Sequence, residues 1–222
     1  VVVGLDINPA VVSELNRNGM SGIVCDLTDS KSVAAAVNQV ITRYGGLDIV
    51  VCNAGIFKSG ERIADHTEHT WDQTIAINLT ATQRFMTATI PYLKLGVNPS
   101  LLVVGSRNFA APGPGAAAYS VSKAGITQLA RVAALELAAD GIRVNVVHPD
   151  AVFDTALWTE DALARSASRY GLSVEEYKTK NLLGKEIRAA DVGRLLSALA
   201  SDIFGATTGA QIPIDGGSDR VI

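Results

Sequence analysis

The stretch Leu47-Asp-Ile-Val-Val-Cys-Asn-Ala-Gly55 decides the fold. It is an apolar run rich in β-branched side chains, typical of a strand buried on both faces of a parallel sheet, and three small or polar residues follow it. Five more short apolar runs occur along the chain, at Val1 to Leu5, Gly22 to Cys25, Leu101 to Val104, Ile142 to Val147 and Gln211 to Ile214. The sequence therefore predicts six buried strands.

Longer amphipathic stretches separate these runs and predict helices. Their signals are Asn8 as an N-cap before Pro9, Asp29 or Ser30 as the next N-cap, a helix from about Thr70 to Leu93 that Pro91 kinks or ends, and a helix from about Ala117 that ends before Gly141. Strands that alternate with crossover helices form an open parallel sheet. We expect one α/β domain over residues 1–222, a Rossmann-like doubly wound parallel sheet with helices on both faces.

The segment from Asp150 to about Ala189 lacks strand character and predicts short helices around Glu160 to Tyr170 and Ser173 to Tyr177. It is inserted between the last two predicted strands. This position lies over the carboxyl ends of the strands, where ligands bind in open α/β sheets. We therefore expect residues 150–189 to form a substrate lid.

Composition excludes several classes of protein. The chain has 222 residues, of which 48% are hydrophobic, and this excludes a disordered protein. A net charge of −3 without a Lys/Arg run offers no surface to nucleic acid or to an anionic membrane. No apolar run approaches about 18 residues, so we expect no membrane span.

The cysteines and histidines point to a cytoplasmic protein without a metal. Cys25 and Cys52 each lie inside an apolar run, which is typical of buried thiols in a reducing compartment. The three histidines, His66, His69 and His148, show no metal-ligand spacing with cysteine or carboxylate partners. We therefore expect no metal site.

Tyr119 and Lys123 are four residues apart on a predicted helix, so their side chains project from one face. Lowering the pKa of a tyrosine from about 10 to about 7 requires about 4 kcal/mol. A unit charge about 4 Å away supplies roughly this amount at an effective dielectric constant near 20. The pair can therefore act as a general acid and base. Because a Tyr-x-x-x-Lys spacing also arises by chance, the neighbouring motifs decide whether this pair is functional.

The context consists of three further motifs. Ser106 follows a strand and precedes Tyr119 by thirteen residues, Asn78 lies on the preceding long helix, and Asn53-Ala54-Gly55 follows the strand quoted above. Together with the ending Thr208-Gly-Ala-Gln-Ile-Pro-Ile-Asp-Gly-Gly217, these motifs resemble the short-chain dehydrogenase/reductase family over essentially the whole chain. Taken alone, Ser106 or Asn78 is more typical of a turn or cap residue.

The resemblance implies a catalytic role for four residues. Tyr119 exchanges a proton with the substrate oxygen, and Ser106 orients that oxygen. Lys123 lowers the pKa of Tyr119 and hydrogen-bonds the nicotinamide ribose, while Asn78 holds a water that links Lys123 to solvent. Hydride then passes directly between a small-molecule substrate and the cofactor.

The resemblance also implies the cofactor residues. Asp6 ends the first strand, where a carboxylate accepts hydrogen bonds from the adenosine ribose and repels a 2′-phosphate, so NAD is favoured over NADP. Asp26 and Leu27 resemble the pair that contacts adenine. Both aspartates also fit the alternative of a helix cap. The remaining cofactor residues are expected to be Asn53, Ala54, Gly55, Tyr119, Lys123, Pro149 and Val152.

The sequence departs from the family pattern at two places. The usual Pro-Gly after the sixth strand is Pro149-Asp150, and Thr155 stands one residue further on than the usual nicotinamide-contacting threonine, so the roles of Asp150 and Thr155 stay open. The glycine-rich first βα turn is also missing. The opening strand therefore corresponds to the family's second strand, and we expect that one βα unit of about 25 to 30 residues is absent and that the chain as given binds NAD poorly.

Three local stretches resemble a narrower group, the dehydrogenase portion of fused rhamnulose-1-phosphate aldolase/alcohol dehydrogenase proteins. They are Ser106-Arg-Asn-Phe-Ala-Ala-Pro-Gly-Pro-Gly115, Val147-His-Pro-Asp-Ala-Val152 and Asp215-Gly-Gly-Ser-Asp-Arg-Val-Ile222. This resemblance implies an N-terminal aldolase fusion and a lactaldehyde-like hydroxyaldehyde or polyol substrate. The alternatives are a free-standing sugar or 3-oxoacyl reductase and, outside the enzymes, a dinucleotide sensor or scaffold. Family members commonly form tetramers, so we expect a homo-oligomer, either a tetramer or a dimer.

Overall fold

The computed structural model describes residues 1–58 and 61–218. Its strands and helices follow the predicted βα alternation. The strands are β1 (Val2–Asp6), β2 (Met20–Val24), β3 (Ile49–Cys52), β4 (Ser100–Val104), β5 (Arg143–Pro149) and β6 (Gln211–Ile214). The helices are α1 (Ala10–Glu14), α2 (Ser30–Tyr44), α3 (Glu68–Ile75), α4 (Ala81–Leu93), α5 (Ala117–Leu137), α6 (Glu160–Arg169), α7 (Val174–Lys178) and α8 (Ala189–Ala200). All six predicted strands are confirmed, with small changes at their ends.

The strands form two parallel sheets and not the single sheet that the sequence predicts. β1 pairs with β2, while β3, β4, β5 and β6 pair in that order. Among the described residues, no strand pairs with the other edge of β1 or of β3. Ile49 on β3 and Val2 on β1 are 48% and 58% exposed. The fold is thus α/β and Rossmann-like, with a divided sheet, and the absence of a βα unit stays a prediction.

Helices cover both faces of the four-stranded sheet. On one face, Leu101 and Val103 of β4 pack with Ile126 of α5 and with Met86 of α4. On the other face, neighbouring side chains of β4 and β5 pack against Val192 and Leu199 of α8 and belong to a second cluster. Because alternate residues of β4 point to opposite faces, the strand is buried on both sides, as its unbroken apolar run predicts.

The N-cap of α2 agrees with the sequence signal, whereas the N-cap of α1 is Pro9, one residue after the predicted Asn8. Asp29 is the N-cap of α2 and accepts a hydrogen bond from the Lys31 amide at 2.9 Å. The Asn8 side chain accepts one from the Ala10 amide at 3.0 Å as α1 begins. These bonds satisfy amides that have no partner within their helices.

The long helix predicted over Thr70 to Leu93 begins at Glu68 and is interrupted by a π-helical segment, Ala76–Thr80. Thr67 caps its start, and Pro91 lies inside the last turn of α4 without ending the helix. A π segment adds a residue to the turn and commonly marks a functional site. Here it contains Asn78, which sequence analysis places in the active site.

A buried arginine joins β5 to the end of α8. The Arg143 guanidinium donates to the carbonyl oxygens of Leu199 at 2.6 Å, Ala200 at 3.0 Å and Phe204 at 3.2 Å. Carbonyls at a helix C-terminus have no partner within the helix and carry partial negative charge. Arg143 therefore satisfies both the hydrogen bonds and the charge of this helix end.

We expect Arg143→Met to lower the free energy of unfolding by about 2–4 kcal/mol, because buried carbonyls lose a charged donor. Arg131→Met is the matched control, since Arg131 is exposed on α5 and bonds Gln128 within the same helix. That variant is expected to change stability by no more than about 0.5 kcal/mol. Urea unfolding measures both, and equal stability of the two variants would contradict the capping role.

Candidate active site

Ser106 and Tyr119 meet where β4 ends. Ser106 follows the strand by two residues and caps a short 3₁₀ turn, Arg107–Phe109, where its hydroxyl accepts a hydrogen bond from the Asn108 amide at 3.2 Å. Tyr119 lies in the first turn of α5. Ser106 lies close enough to the Tyr119 hydroxyl to lower the pKa of that group as a hydrogen-bond partner. The Phe57 ring packs edge-on against the Tyr119 ring at 4.7 Å between centroids, which fixes the phenol.

Lys123 lies one turn further along α5 on the same face. Its side chain is 5% exposed, and Nζ donates to the Val104 carbonyl at the end of β4 at 2.9 Å. Nζ is 5.7 Å from the centre of the Tyr119 ring. Burial lowers the pKa of Lys123 from 10.5 to about 8, because desolvation disfavours the ammonium form.

The pKa of Tyr119 differs from the sequence expectation. Burial raises it above its ordinary value of 10, and the hydrogen bond with Ser106 offsets this only in part. The expected lowering by Lys123 is wrong for this geometry, because the ammonium group is directed to the Val104 carbonyl and its own charge is disfavoured by burial. In this arrangement Tyr119 holds its proton at neutral pH and is a proton donor.

Asn78 anchors the loop that follows β3. Its Oδ1 accepts from the Ile56 amide at 2.8 Å, and its Nδ2 donates to the Ile56 carbonyl at 2.9 Å and to the Ser122 hydroxyl at 3.1 Å. These contacts tie the π segment to both the loop and α5. The predicted role of Asn78 in holding a water stays a prediction.

The Asn53-Ala54-Gly55 loop leaves room beside Lys123. All three residues are exposed. A Cβ atom on Gly55 would lie 3.2 Å from Asn78 Oδ1 and 3.7 Å from Lys123 Nζ. The absence of a side chain therefore keeps an open face next to a buried ammonium donor, and this fits a ribose that carries hydroxyl groups.

The predicted adenosine-binding residues lie apart from the catalytic group, after β1 and β2. Asp6 Oδ1 accepts from the Asn8 amide at 2.8 Å, and Asp26 Oδ1 accepts from the Thr28 amide at 2.8 Å. Hydrogen bonds from the Thr28 side chain and amide hold the pKa of Asp26 below its ordinary value. Each bond closes a local turn. The N-caps of α1 and α2 are Pro9 and Asp29, so the alternative of a helix cap is wrong for both aspartates. Arg84 of α4 donates to the Leu27 carbonyl at 3.0 Å and orders the second loop.

The loop after β5 contains the remaining predicted cofactor residues. Pro149 pairs with Ile214 at the end of β5, and Val152 packs against the apolar cluster under α8. The Thr155 hydroxyl donates to the Val152 carbonyl at 2.9 Å. Thr155 thus closes a local turn, which gives a structural role to the residue that stands one position out of register.

Sequence analysis missed a polar cluster beside Ser106. Arg107 Nε lies 2.9 Å from Asp150 Oδ1, and Arg107 NH1 donates to the Ser218 hydroxyl at 3.1 Å. Ser218 also donates to the Asp150 carboxylate. The three residues come from the three stretches that carry the narrower resemblance, although residues 219–222 of the last stretch lie outside the described residues. The available signal in the sequence was that all three residues lie in the stretches that carry this resemblance.

The segment after Asp150 is held by an aromatic cluster. The predicted helices are confirmed as α6 and α7. The Phe153 ring lies 5.1 Å from that of Trp158 and 5.7 Å from that of Tyr177, and Tyr170 stacks on Tyr177 at 5.7 Å. Lys180 Nζ lies 4.4 Å above the Tyr170 ring. This segment therefore has a small core of its own.

Residues 1–58 and 61–218 contain neither a metal-binding cluster of side chains nor a helix that could span a membrane. No group of three or more His, Cys, Asp or Glu side chains there is placed to hold a metal ion. None of the helices in this part of the chain combines the length and hydrophobicity needed to cross a membrane.

The pKa of Lys123 predicts how stability depends on pH. Between about pH 8 and 10.5 the unfolded chain retains a proton that the folded protein has released, so the free energy of unfolding rises with pH in this window. Below about pH 8 the folded protein bears the full cost of burying the Lys123 ammonium. A shift from 10.5 to about 8 corresponds to about 3 kcal/mol. Lys123→Met removes this cost and loses a hydrogen bond worth about 1 kcal/mol. We expect this variant to be more stable than wild type by about 2 kcal/mol at pH 7.

Urea unfolding of wild type and Lys123→Met at pH 7 and pH 10.5 measures the effect, and the advantage of the variant should disappear at the higher pH. Lys31→Met is the control, because Lys31 is exposed at the start of α2. A stability difference that stays the same at both pH values would contradict the assigned pKa.

Comparison with known proteins supports the family that these motifs resemble. A family model described as enoyl-(acyl carrier protein) reductase matches residues 2–219. The uncharacterized NAD-dependent oxidoreductase Rv0687 of Mycobacterium tuberculosis is 33% identical over 87% of this chain and 70% of its own length. The uncharacterized oxidoreductase YuxG of Bacillus subtilis is 32% identical over 98% of this chain but only 33% of its own length.

A solved structure agrees with these sequence relatives. The short chain dehydrogenase family protein of Francisella tularensis superposes with a TM-score of 0.83 at 27% identity, over 98% of this chain and 87% of that one. The match includes both sheets, since nearly the whole chain is covered. The chain belongs to the short-chain dehydrogenase/reductase family of oxidoreductases.

Proposed function

We propose that the protein is an NAD-dependent oxidoreductase that moves a hydride between nicotinamide and a small hydroxy or carbonyl compound. The observation that supports this most is that Ser106, Tyr119 and Lys123 meet at the end of β4. Lys123 Nζ donates to the Val104 carbonyl and lies 5.7 Å from the centre of the Tyr119 ring, and Ser106 acts on the pKa of the phenol. A phenol, a hydroxyl and a buried ammonium at one point suit proton transfer to a single substrate oxygen.

In the proposed reaction the protein moves the proton. When bound, the nicotinamide supplies or accepts the hydride. Tyr119 donates its Oη proton to the carbonyl oxygen during reduction and takes it back during oxidation. Ser106 donates to the same oxygen and orients it. The raised pKa of Tyr119 favours the donating form at neutral pH.

The cofactor is proposed to lie along the loops that follow β1, β2 and β3. The free face at Gly55 gives a ribose access to Lys123. Asp6 is exposed. Its second carboxylate oxygen is proposed to accept a hydrogen bond from a ribose 2′-hydroxyl, and its negative charge would repel a 2′-phosphate. Asp26 and Leu27 are proposed to flank adenine, with Asn53, Ala54, Pro149 and Val152 nearer the nicotinamide.

A lactaldehyde-like hydroxyaldehyde or a small polyol is the proposed substrate. The support is that Arg107, Asp150 and Ser218 bond to one another next to Ser106, so the three stretches that resemble the narrower group form one polar surface. A free-standing sugar or 3-oxoacyl reductase would use the same proton chemistry. Residues 150–189 are proposed to be the lid over this substrate.

The remaining proposals concern the whole protein. YuxG extends well beyond the part that matches this chain, which is compatible with an added N-terminal domain such as an aldolase. The two free buried thiols, Cys25 and Cys52, fit a cytoplasmic enzyme. A homotetramer or homodimer follows from the family resemblance.

We expect Tyr119→Phe to lower kcat at least 100-fold, because proton transfer by a positioned side chain contributes about 100- to 10,000-fold. The assay follows NADH formation by the full-length protein with lactaldehyde, 1,2-propanediol and a panel of sugars and 3-hydroxyacyl thioesters. Tyr92→Phe is the control, since Tyr92 on α4 only approaches Asn38 at 3.4 Å.

The same assay separates the alternatives. Turnover of sugars or thioesters alone would replace the hydroxyaldehyde substrate and keep the mechanism. A Tyr119→Phe enzyme as active as wild type would contradict proton transfer by Tyr119. Binding of NADH without turnover of any substrate would favour a dinucleotide sensor.

Cofactor choice tests Asp6. We expect kcat/KM to be higher with NAD than with NADP, and Asp6→Asn to reduce that ratio at least tenfold, which is about 1.4 kcal/mol. Asparagine retains the oxygen that caps the Asn8 amide, so the change removes mainly the charge. Glu14→Gln, an exposed change on α1, is the control. A wild-type preference for NADP would refute the role given to Asp6.

A further inference from the structure

His148 is a buried imidazole that the proposed reaction does not use. It lies on β5, next to Pro149, and is 2% exposed. The Phe109 ring stacks on it at 4.0 Å between centroids with an interplanar angle of 21°. A Cβ atom on Gly105 would lie 2.5 Å from His148 Nδ1, so glycine at this position lets the ring approach the strand end. The ring thus lies directly behind the loop that carries Ser106.

The two ring nitrogens face different partners. Nδ1 lies 3.2 Å from the Ser106 carbonyl oxygen, and Nε2 lies 2.7 Å from the Gln211 side-chain oxygen on β6. The Gln211 amide nitrogen is buried and has no hydrogen-bond partner among residues 1–58 and 61–218. A neutral imidazole has one donor and one acceptor, so it cannot donate to two oxygens.

Turning the Gln211 amide by 180° resolves both problems. The amide nitrogen then donates to His148 Nε2, and the ring proton lies on Nδ1, which donates to the Ser106 carbonyl. The alternative with the proton on Nε2 would place the Nδ1 lone pair against the carbonyl lone pair. A charged ring would pair both oxygens but leave the buried amide nitrogen without an acceptor.

The surroundings also favour a neutral ring. Burial lowers the pKa of His148, and the Lys123 ammonium on α5 lowers it further, although the contacts with Gln211 and Ser106 act in the opposite direction. The nearby charges of Arg107 and Asp150 pair with each other. β6 contributes the uncharged Gln211, and the 3₁₀ turn contributes Phe109.

We propose that His148 is a positioning residue for Ser106, holding its carbonyl through Nδ1–H while Gln211 fixes the tautomer. Ser106 has φ −168° and ψ 151°, an extended conformation, and its carbonyl points back to His148 on β5. The hydrogen bond therefore sets the rotation of the residue whose hydroxyl meets the substrate. This inference rests on the proposed function, because it takes Ser106 as the group that orients the substrate oxygen.

Three variants test the kinetic part in the full-length protein. His148→Leu removes the donor and should lower kcat about 100-fold, since small misplacements in an active site cost this much, with KM for NAD unchanged. His148→Asn keeps an amide N–H at the δ position and should restore most of kcat. His148→Gln places its amide at the ε position and should not. A kcat for His148→Leu within threefold of wild type, or equal losses in the Asn and Gln variants, would overturn the proposal.

Nitrogen NMR tests the tautomer without any activity. The chain has three histidines, so the spectrum of His148→Asn assigns the His148 signals. We expect a neutral ring with the proton on Nδ1 at pH 7, and loss of that single tautomer in Gln211→Leu. A proton on Nε2, or an imidazolium at pH 7, would overturn the proposal.

The kinetic measurements and the NMR spectrum together separate failure of this inference from failure of the proposed function. If wild type turned over none of the alcohols, the proposed function would fail and the positioning role with it, while the spectrum would still decide the hydrogen-bond arrangement. If wild type and Tyr119→Phe behave as proposed but the His148 variants do not, only the role of His148 is overturned.

Discussion

The site depends on a buried ammonium group at the junction of a helix and a strand. Lys123 Nζ donates to the Val104 carbonyl, the last of β4, and this contact sets the rotation and height of α5 against the sheet. Tyr119, one turn earlier, then falls beside Ser106. The arrangement is costly, because burial disfavours the charge of Lys123. An apolar residue would stabilise the fold more, so the lysine is better explained by chemistry than by stability.

Asn78 makes the same arrangement rigid from the other side. A regular α-helix over 68–93 would turn residue 78 away from its present direction, whereas the π segment directs the side chain at Ile56 and Ser122. The loop after β3 and the first turns of α5 are thus fixed to one amide. Because the loop is held by its backbone, Gly55 can remain without a side chain next to Lys123.

Sequence predicted the parts that follow from local pattern. The strand runs, the cap at Asp29 and the two short helices after Asp150 depend on neighbouring residues, and the structure has them. Tyr119 and Lys123 share a helix face, so four-residue spacing was enough to bring them together. The divided sheet and the raised pKa of Tyr119 were not predicted, since edge pairing and burial depend on distant parts of the chain.

The missed residues share a physical reason. Arg107, His148 and Asp150 are each one or two positions from a recognisable motif, but their partners lie 42 or more residues away along the chain. No spacing rule connects β4, β5 and the segment after β6 before their parallel register is known. Once register places Val104 opposite Val147, the residues that follow both strands must meet. The loop that begins at Ser106 is therefore held by His148 at the Ser106 carbonyl and by Asp150 at Arg107, so two independent contacts fix the backbone that carries the Ser106 hydroxyl.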